Sequence, residues 1–481
     1  MKLVSLFLLL STLNSVAQTN QFVFEISTSG NDKLRDIHET DSYFYITGSR
    51  ESNSGNTSNM VGFVYKIFKD GTLYDSALFN IHDHSYHLSQ LLEIRNDTFM
   101  LSGALTDTNA STNSSLLFYK IDSNLTVLDS AKWAFNSNYE LLFNYAHIGI
   151  NNELSVTGGL YPDEIPFRMF VYRFSPSLDS LKFKLFYDQP NKGTMGVKIR
   201  QIAMNKYWIC EAAQGTYYVL DSSLNILSTK QIPKSTYAPF GTKWDTDSSF
   251  YISGQWNYGT DDDITLFHQT HYADTNIDYF KWWGFPDTLD MPASRNGLDF
   301  KHKDTIYISG TKNYQFSHYY ETPSWCFVLQ TDSTLDIRWE KFIGGDANYR
   351  TQMVIATNDG GCLIGATYYD YQHSSSPQLD MRVIKLNKHG HLVSQSESEP
   401  IQTSEAIVYP NPGNEHLKIR IAAQHPQAVF ALYSIDGKLL INKKLHGRHA
   451  EINASALKPG TYIYKIFNSK GLNESGKWIK K

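Results

Sequence analysis

Two groups of side chains in this sequence could take part in chemistry: polar residues in short apolar segments, and aromatic residues in loops. The segments LRDI, LLEI, IRQI, TKW and LDF each carry one polar residue at an equivalent position. Two carboxylates facing each other at about 5 to 9 Å could act as acid and base in glycoside hydrolysis. The alternative is a water-solvated lining without chemistry, and we assign no catalytic residue. The five equivalent positions are Asp36, Glu93, Gln201, Lys243 and Asp299.

Aromatic residues crowd three loops in the second half of the chain, QWNYGTDDD, TKNYQFSHYYETPSW and TYYDYQHSSSPQLD. The corresponding loops of the first half are small and polar. An aromatic ring with a polar tip suits sugars and peptides, and Tyr and Trp dominate interface hot spots. The alternative is that these rings cap strand ends. The pattern predicts a ligand-binding face that includes Trp256, Tyr258, Tyr314, Phe316, Tyr319, Tyr320, Trp325, Tyr368, Tyr369 and Tyr371.

Motifs that would indicate an enzyme are missing from the sequence. There is no Gly-x-Ser-x-Gly nucleophile elbow and no His-Glu-x-x-His metal helix. The run from Asp261 to Asp263 lacks the alternating ligand spacing of a calcium loop, so a solvated turn is the better interpretation. We therefore expect no metal and no cofactor, and a binding role rather than an enzymatic one.

The composition argues against a nucleic-acid partner. The chain has 43 basic and 48 acidic residues, with a formal net charge of −5 and no basic stripe that could neutralise phosphates. Its three cysteines, Cys210, Cys326 and Cys362, are widely separated and lie in apolar runs. They are better interpreted as small buried hydrophobic residues than as disulfide partners.

A strand motif that ends in glycine recurs along the chain and predicts its fold. Each copy is preceded by an apolar segment and followed by two further strand-like runs. Four short strands in each of seven units, without helical periodicity, predict a seven-bladed β-propeller over residues 18–398. An open solenoid is the alternative. The motif ends at Gly48, Gly103, Gly158, Glu211 in the glycine position, Gly254, Gly310 and Gly365.

The start of the repeat region predicts how the ring closes. FVFEISTSGNDKLRDI is similar to IRWEKFIGGDANYRTQM at residues 337–353, where an outer strand runs into the next inner strand. A strand at residues 22–27 would therefore complete the last blade and remove an open sheet edge. The stretch NDGGCLIG at residues 358–365 resembles the Asp-Gly-Gly strand repeats of secreted bacterial propellers, a resemblance that implies architecture and no activity.

The N-terminus predicts a cleaved signal peptide over residues 1–17. Lys2 supplies a positive charge, an apolar run follows, and small residues precede a cleavage site between Ala17 and Gln18. The run is too short for a mature membrane helix, and no later stretch approaches the roughly 20 apolar residues that such a helix needs.

The C-terminal residues 405–481 predict a small immunoglobulin-like β-sandwich. The runs LKIRI and TYIYKIF alternate between apolar and polar residues, and turn residues bound them. Four ordered motifs in this segment, including a lysine-rich end, resemble the type A C-terminal sorting domain of the type IX secretion system of Bacteroidetes. A generic immunoglobulin-like domain is the alternative. The residues that carry the resemblance include Tyr409, Pro410, Asn411, Pro412, Gly437, Lys438, Gly460, Tyr462 and Lys465.

The resemblance implies export across the outer membrane by the type IX machinery, followed by release or attachment to surface lipopolysaccharide. We therefore expect an all-β secreted or cell-surface protein, with residues 399–404 linking the propeller to the sorting domain. The favoured function is noncatalytic binding of an extracellular glycan or protein. The alternatives are an extracellular hydrolase with a carboxylate site at the propeller tunnel, and a structural surface component.

Overall fold

In the structure, a computed structural model, the described residues are all-β apart from a single-turn 3-10 helix at Pro233–Ser235, which confirms the predicted all-β class. The predicted signal peptide with Ala17 and Gln18, the loop residue Tyr258, and Asp261 and Asp262 lie outside the described residues. The structure describes residues 21–51, 59–81, 83–95, 97–108, 110–135, 139–162, 168–186, 194–256, 263–284, 288–374, 377–392 and 403–481.

The repeat region is a β-propeller built from groups of antiparallel strands, which we call sheets I to VII. After β1 (Phe22–Ile26), sheet I contains β2 (Asp32–Glu39), β3 (Tyr43–Glu51), β4 (Met60–Phe68) and β5 (Leu73–Phe79). Sheet II contains β6 (His84–Arg95), β7 (Thr98–Asp107), β8 (Ala110–Asp122) and β9 (Val127–Ala134). Sheet III contains β10 (Tyr139–Ile148), β11 (Leu154–Pro162), β12 (Arg168–Phe174) and β13 (Ser180–Leu185).

The remaining sheets repeat the same strand order. Sheet IV contains β14 (Gly196–Ala203), β15 (Lys206–Glu211), β16 (Thr216–Asp221) and β17 (Ile226–Gln231). Sheet V contains β18 (Thr236–Trp244), β19 (Phe250–Trp256), β20 (Asp263–Gln269) and β21 (Ile277–Trp283). In sheet VI the innermost position is divided between two short strands, and its members are β22 (Met291–Pro292), β23 (Leu298–Asp299), β24 (Ile306–Lys312), β25 (Trp325–Thr331) and β26 (Ile337–Gly344).

The last sheet joins the two ends of the propeller region. Sheet VII contains β27 (Asn348–Ala356), β28 (Cys362–Tyr369) and β29 (Asp380–Leu386), and β1 is its outermost strand. The pairing runs from Phe22 opposite Lys385 to Ile26 opposite Met381, which confirms the predicted addition of the first strand to the last group. A single pairing between Asn113 and Tyr139 joins sheets II and III, so strand pairing alone does not fix the number of blades at seven.

The recurring glycine explains how the innermost strands are shaped. In sheet I, Leu34 pairs with Gly48 and Asp36 pairs with Thr47. Arg35 is therefore an unpaired extra residue in a β-bulge. A Cβ atom on Gly48 would lie 2.1 Å from the carbonyl oxygen of Lys33. Glycine is therefore needed for the close approach of the inner strand. The same 2.1 Å conflict with an inner-strand carbonyl would arise at Gly158 and Gly310.

We expect Gly48→Ala to lower the free energy of unfolding by about 1 to 3 kcal/mol, because the backbone of the innermost strand must shift to admit the methyl group. Urea unfolding followed by tryptophan fluorescence measures the change. Gly297→Ala is the matched control, since a Cβ there meets its nearest atom at an ordinary 3.4 Å. Equal stability of the two variants would contradict the role assigned to the glycine.

The C-terminal segment forms two antiparallel sheets around one apolar core. One sheet contains β31 (Ala406–Tyr409), β32 (His416–Ile421) and β35 (His449–Asn453). The other contains β33 (Gln427–Ser434), β34 (Leu439–His446), β36 (Gly460–Phe467) and β37 (Asn473–Lys480). The shared core includes Leu417, Ile419, Phe430, Ile466 and Trp478, all fully buried. The immunoglobulin-like topology of this segment stays a prediction.

The C-terminal segment packs against the propeller through an apolar cluster. Ile407 and Tyr409 join the core formed by sheets V and VI, where the ring centroids of Tyr409 and Trp325 lie 5.9 Å apart. A short strand, β30 (Thr403–Ser404), extends sheet VI by pairing with Phe342 and Ile343. Residues 403 and 404, which fall within the predicted linker, are thus part of a sheet.

A buried carboxylate lies at the centre of this contact. Glu340 of β26 is fully buried. Its Oε1 accepts a hydrogen bond from the indole of Trp283, and its Oε2 accepts one from Arg448 and one from the backbone of Ala423 (2.7 Å). The guanidinium of Arg420 lies 3.6 Å from Oε1. Three of these four partners belong to the C-terminal segment, so one propeller carboxylate holds the two parts of the chain together.

Candidate functional site

The structure brings together the aromatic residues of two neighbouring loops. Phe316, Tyr319 and Tyr320 lie between β24 and β25 and are 67%, 40% and 46% exposed. The ring of Tyr319 meets the ring of Tyr369 edge-on at 5.6 Å, and Tyr371 lies 6.2 Å from Tyr369. We call the exposed rings of Phe316, Tyr319 and Tyr320, together with the half-buried ring of Tyr371, the aromatic patch.

Other members of the predicted face are buried within strands. Trp325 begins β25 and packs against the C-terminal segment, as described above. Tyr368 stacks on Tyr349 at 5.5 Å and donates a hydrogen bond to Glu25 of β1. Tyr369 is 5% exposed. Trp256 is half-buried and stacks on Trp282, on the outer strand of sheet V. Trp325, Tyr368 and Tyr369 therefore have little surface to offer a ligand, because strand packing covers them.

A cavity of about 250 Å³, the loop-face cavity, opens beside the aromatic patch. Lys33, Arg35, Tyr314, His318 and Arg350 contribute to its lining. The guanidinium of Arg350 lies 4.8 Å from the ring centroid of Tyr314 and donates to His318 Nε2 at 3.0 Å. It also donates to the carbonyl oxygen of Phe316 at 2.6 Å. Arg350 therefore fixes the aromatic loop at the edge of the cavity.

A second cavity of about 200 Å³, the tunnel cavity, lies among the innermost strands. Each of sheets I to VII contributes to its lining, and Arg35 lines both cavities. Asp36, Lys243 and Asp299 meet here, as the sequence predicted for the polar positions. The other two positions lie apart. Glu93 is exposed and pairs with His38 at 3.5 Å, and Gln201 accepts a hydrogen bond from the backbone of Ile150.

The two tunnel carboxylates are engaged in bonds between neighbouring sheets. Asp36 Oδ2 accepts the N–H of Leu91 in sheet II, and Asp299 Oδ2 accepts the N–H of Ala356 in sheet VII, both at 2.8 Å. The second oxygen of Asp299 pairs with Lys243 at 2.8 Å. Burial raises the pKa of Asp36 to about 6. These carboxylates therefore have a structural use that does not require catalysis.

Sequence reasoning missed the basic residues of the tunnel. Lys198 Nζ lies 4.3 Å from the ring centroid of Tyr145 and 3.4 Å from Asn296 Oδ1. Arg295 lines the same cavity. Burial, together with the positive charge of the neighbouring Arg35, holds the pKa of Arg295 well below its usual value. Burial lowers the pKa of Lys198 to about 8 and that of Arg35 to about 10. A signal for Arg35 was present in the sequence: the alternation of apolar and polar residues along the inner strand is interrupted at the bulge, where Arg35 is the extra residue.

The described ranges hold no group of three or more His, Cys, Asp or Glu side chains placed to bind a metal. Cys210, Cys326 and Cys362 are buried free thiols, which confirms their interpretation as small core residues. Within the same ranges, the structure contains no helix with the length and apolar character needed to cross a membrane.

Comparison with known proteins identifies the C-terminal segment. Residues 407–481 match the family described as the secretion system C-terminal sorting domain. A sorting domain of this kind implies export across the outer membrane by type IX secretion, with the type IX machinery as a partner. A search of curated proteins found no match.

Several solved structures are similar to the chain at low identity. A protein of unknown function from Bacteroides caccae is 12% identical, with a TM-score of 0.38, and the match covers 62% of this chain and 93% of that one. The β-propeller domain of the Trilobed protease from Pyrococcus furiosus is 7% identical, with a TM-score of 0.40 and coverage of 73% and 96%. The WD40 domain of SCAP from fission yeast is 8% identical, with a TM-score of 0.38 and coverage of 76% and 98%.

Proposed function

We propose that this protein is exported by the type IX secretion system and acts outside the cell as a noncatalytic binding protein for a glycan or a protein. The sorting-domain match at residues 407–481 supports the route of export. Residues 1–17 serve as the signal peptide, and residues 405–481 are a type A sorting domain of the Bacteroidetes kind. The exported protein is then released or attached to surface lipopolysaccharide.

In this proposal, sheets I to VII are the seven blades of a closed propeller over residues 18–398. The pairing of β1 with β29 and the shared lining of the tunnel cavity by all of these sheets support that count. A closed ring leaves only the short outer strands of the blades as sheet edges, which limits a route to aggregation. Residues 399–404 connect the propeller to an immunoglobulin-like sandwich.

The observation that carries the binding function is the aromatic patch beside the loop-face cavity. Large aromatic side chains are seldom exposed together on a surface without a partner. Phe316, Tyr319 and Tyr320 offer flat apolar faces, and two of them carry hydroxyl groups that hydrogen-bond. Arg350 holds this loop in place, so the patch loses little freedom when a ligand binds.

Binding of a ligand is favoured over hydrolysis because the tunnel carboxylates already have partners. Both Asp36 and Asp299 accept a backbone N–H from the next sheet, and Asp299 also pairs with Lys243. These bonds give both carboxylates a role in joining neighbouring sheets, and in Asp299 both oxygens are engaged. The hydrolase remains the alternative, and it predicts that a bound glycan is shortened.

The test is an array of glycans and surface proteins probed with the mature chain, sorting domain included, followed by analysis of the eluted ligand. We expect saturable binding with the ligand recovered intact. Tyr319→Ala and Tyr320→Ala should each weaken binding about fivefold or more, the cost of losing an aromatic hot spot. Tyr279→Ala is the matched control, because Tyr279 is 37% exposed but lies on the outer strand β21.

Each other outcome has a definite meaning. Unchanged affinity in both loop variants would exclude the aromatic patch. Shortened ligand would make the protein a hydrolase, and the absence of any saturable ligand would favour a structural surface component.

A further inference from the structure

The two cavities concentrate positive charge in a chain whose net charge is negative. Among the described residues, the loop-face cavity is lined by Lys33, Arg35 and Arg350 and by no carboxylate. The tunnel cavity adds three basic side chains and two carboxylates, so six cations face two anions across both spaces. The whole chain carries a formal charge of −5, so this local excess does not follow from composition. The tunnel residues concerned are Lys198, Lys243, Arg295, Asp36 and Asp299.

Most of these cations have no carboxylate within ion-pairing distance among the described residues. Lys243 pairs with Asp299, but neither Arg35 nor Arg295 has a carboxylate oxygen within 4.0 Å among the described residues. Within the described part of the chain, the guanidinium of Arg350 hydrogen-bonds to two carbonyl oxygens and an imidazole, and its buried Nε has no hydrogen-bond partner there. A buried charge without a counter-ion is costly to a folded protein. A bound anion would remove that cost.

The surroundings of the cations favour an acidic sugar over other anions. Five hydroxyl-bearing side chains, including Ser294 and Thr367, share the lining of the loop-face cavity and suit the hydroxyl groups of a saccharide. The aromatic patch beside it suits the flat face of a sugar ring. At about 250 Å³ the cavity is smaller than the ~300 Å³ at the lower end of pockets for drug-sized ligands, so it suits a unit the size of one sugar ring.

We propose that the loop-face cavity and the tunnel cavity form one site for a carboxylate- or sulfate-bearing unit of an extracellular polysaccharide. Arg35 lies at their junction and binds the acidic group, Arg295 supports it from the tunnel side, and the aromatic patch carries the neighbouring sugars. This inference rests on the proposed binding function and specifies the ligand class for the same face.

The test compares three polysaccharides with one backbone: neutral dextran, carboxymethyl-dextran and dextran sulfate. Binding to the mature chain is measured by calorimetry at low and at raised salt. We expect binding to one or both acidic polymers, weakened by salt, and at least tenfold weaker binding to neutral dextran. The better acidic polymer shows whether the site takes a carboxylate or a sulfate.

Arg35→Gln and Arg295→Gln should each reduce affinity for the acidic polymer about tenfold, as expected for the loss of a charge-assisted hydrogen bond. Neither variant should lower the thermal midpoint, because neither arginine forms an ion pair within 4.0 Å among the described residues. Arg95→Gln is the matched control, since Arg95 ends the innermost strand of sheet II, is exposed and lines neither cavity.

Affinity should also fall as the pH rises. Asp36 faces Lys198, Arg295 and Tyr145, and its ionisation near pH 6 adds a negative charge to the tunnel. Lys198 faces Asp36, Asp299, Lys243, Cys210 and Tyr145, and it loses its positive charge near pH 8. Both changes act against an anion, so binding of the acidic polymer should weaken in two steps between about pH 5 and pH 9.

The failures are distinguishable. Wild-type affinity in both arginine variants, or equal binding of neutral and acidic dextran, would overturn the acidic-sugar site while leaving the binding function standing. If the protein bound polyglutamate but none of the three dextrans, that result would also overturn the acidic-sugar site and would favour an acidic protein as the partner. If no glycan or protein on the array binds at all, the proposed function itself fails.

Discussion

Replacing Glu340 with alanine is expected to lower the free energy of unfolding by about 3 to 5 kcal/mol, the usual cost of removing one partner from a buried ion pair. The variant leaves Arg420 and Arg448 facing an empty space, and it removes the acceptor for the indole of Trp283. The free energy of unfolding is measured by urea titration, and unfolding is monitored through the fluorescence of the buried tryptophans at the domain contact.

Glu321→Ala is the matched control, because this glutamate is exposed and lies outside the domain contact. Glu340→Gln should fall between the two, since the amide oxygen still accepts one hydrogen bond but carries no charge. A change of less than about 0.5 kcal/mol in Glu340→Ala, the range of ordinary surface substitutions, would show that the carboxylate does not hold the two parts together.

Deletion of residues 405–481 is expected to abolish export and leave the propeller in the periplasm. The match of residues 407–481 to the sorting-domain family is the reason, because the type IX machinery then has no signal to engage. Cell fractionation with an antibody against the propeller measures the distribution. Since deletion also uncovers the buried Glu340, the deletion is best combined with Glu340→Gln, which removes the exposed charge.

A transplant separates loss of signal from loss of folding. Residues 403–481 fused to a stable periplasmic protein should carry that protein to the cell exterior, and the intact chain with Glu340→Gln should still be exported. Normal export of the truncated chain would contradict the sorting role. So would retention of the fusion in the periplasm.

The sequence was sufficient to predict most of the propeller strands because one physical requirement recurs. The inner strand bulges toward the second strand, and only glycine leaves room for it at positions such as Gly48 and Gly310. The closure by β1 was also predictable, because its sequence repeats the outer strand at residues 337–344. The alternation of LKIRI and TYIYKIF marked two strands of the sorting domain.

The binding face was harder to predict, because a loop and the first residue of a strand look alike in sequence. Trp325 and Tyr368 were grouped with the loop residues, yet both belong to strands and pack in the core. Arg35 was overlooked because the bulge breaks the alternation that assigns side chains to a face. The contact at Glu340 joins residues more than 80 positions apart, so no local sequence pattern predicts it.

The pairing of the first strand with the last sheet has a consequence for the proposed export route, in which a signal peptide takes the chain into the periplasm. Glu25 and Arg382, which form an ion pair across β1 and β29, are 357 positions apart in the chain. If the chain enters the periplasm N-terminus first, nearly the whole propeller region must follow before β1 can pair with β29. Contacts of such long range form slowly, because the entropy of closing a long loop opposes them. In the proposed export route the ring therefore cannot close until β29, which ends at residue 386 of the 481-residue chain, has reached the periplasm.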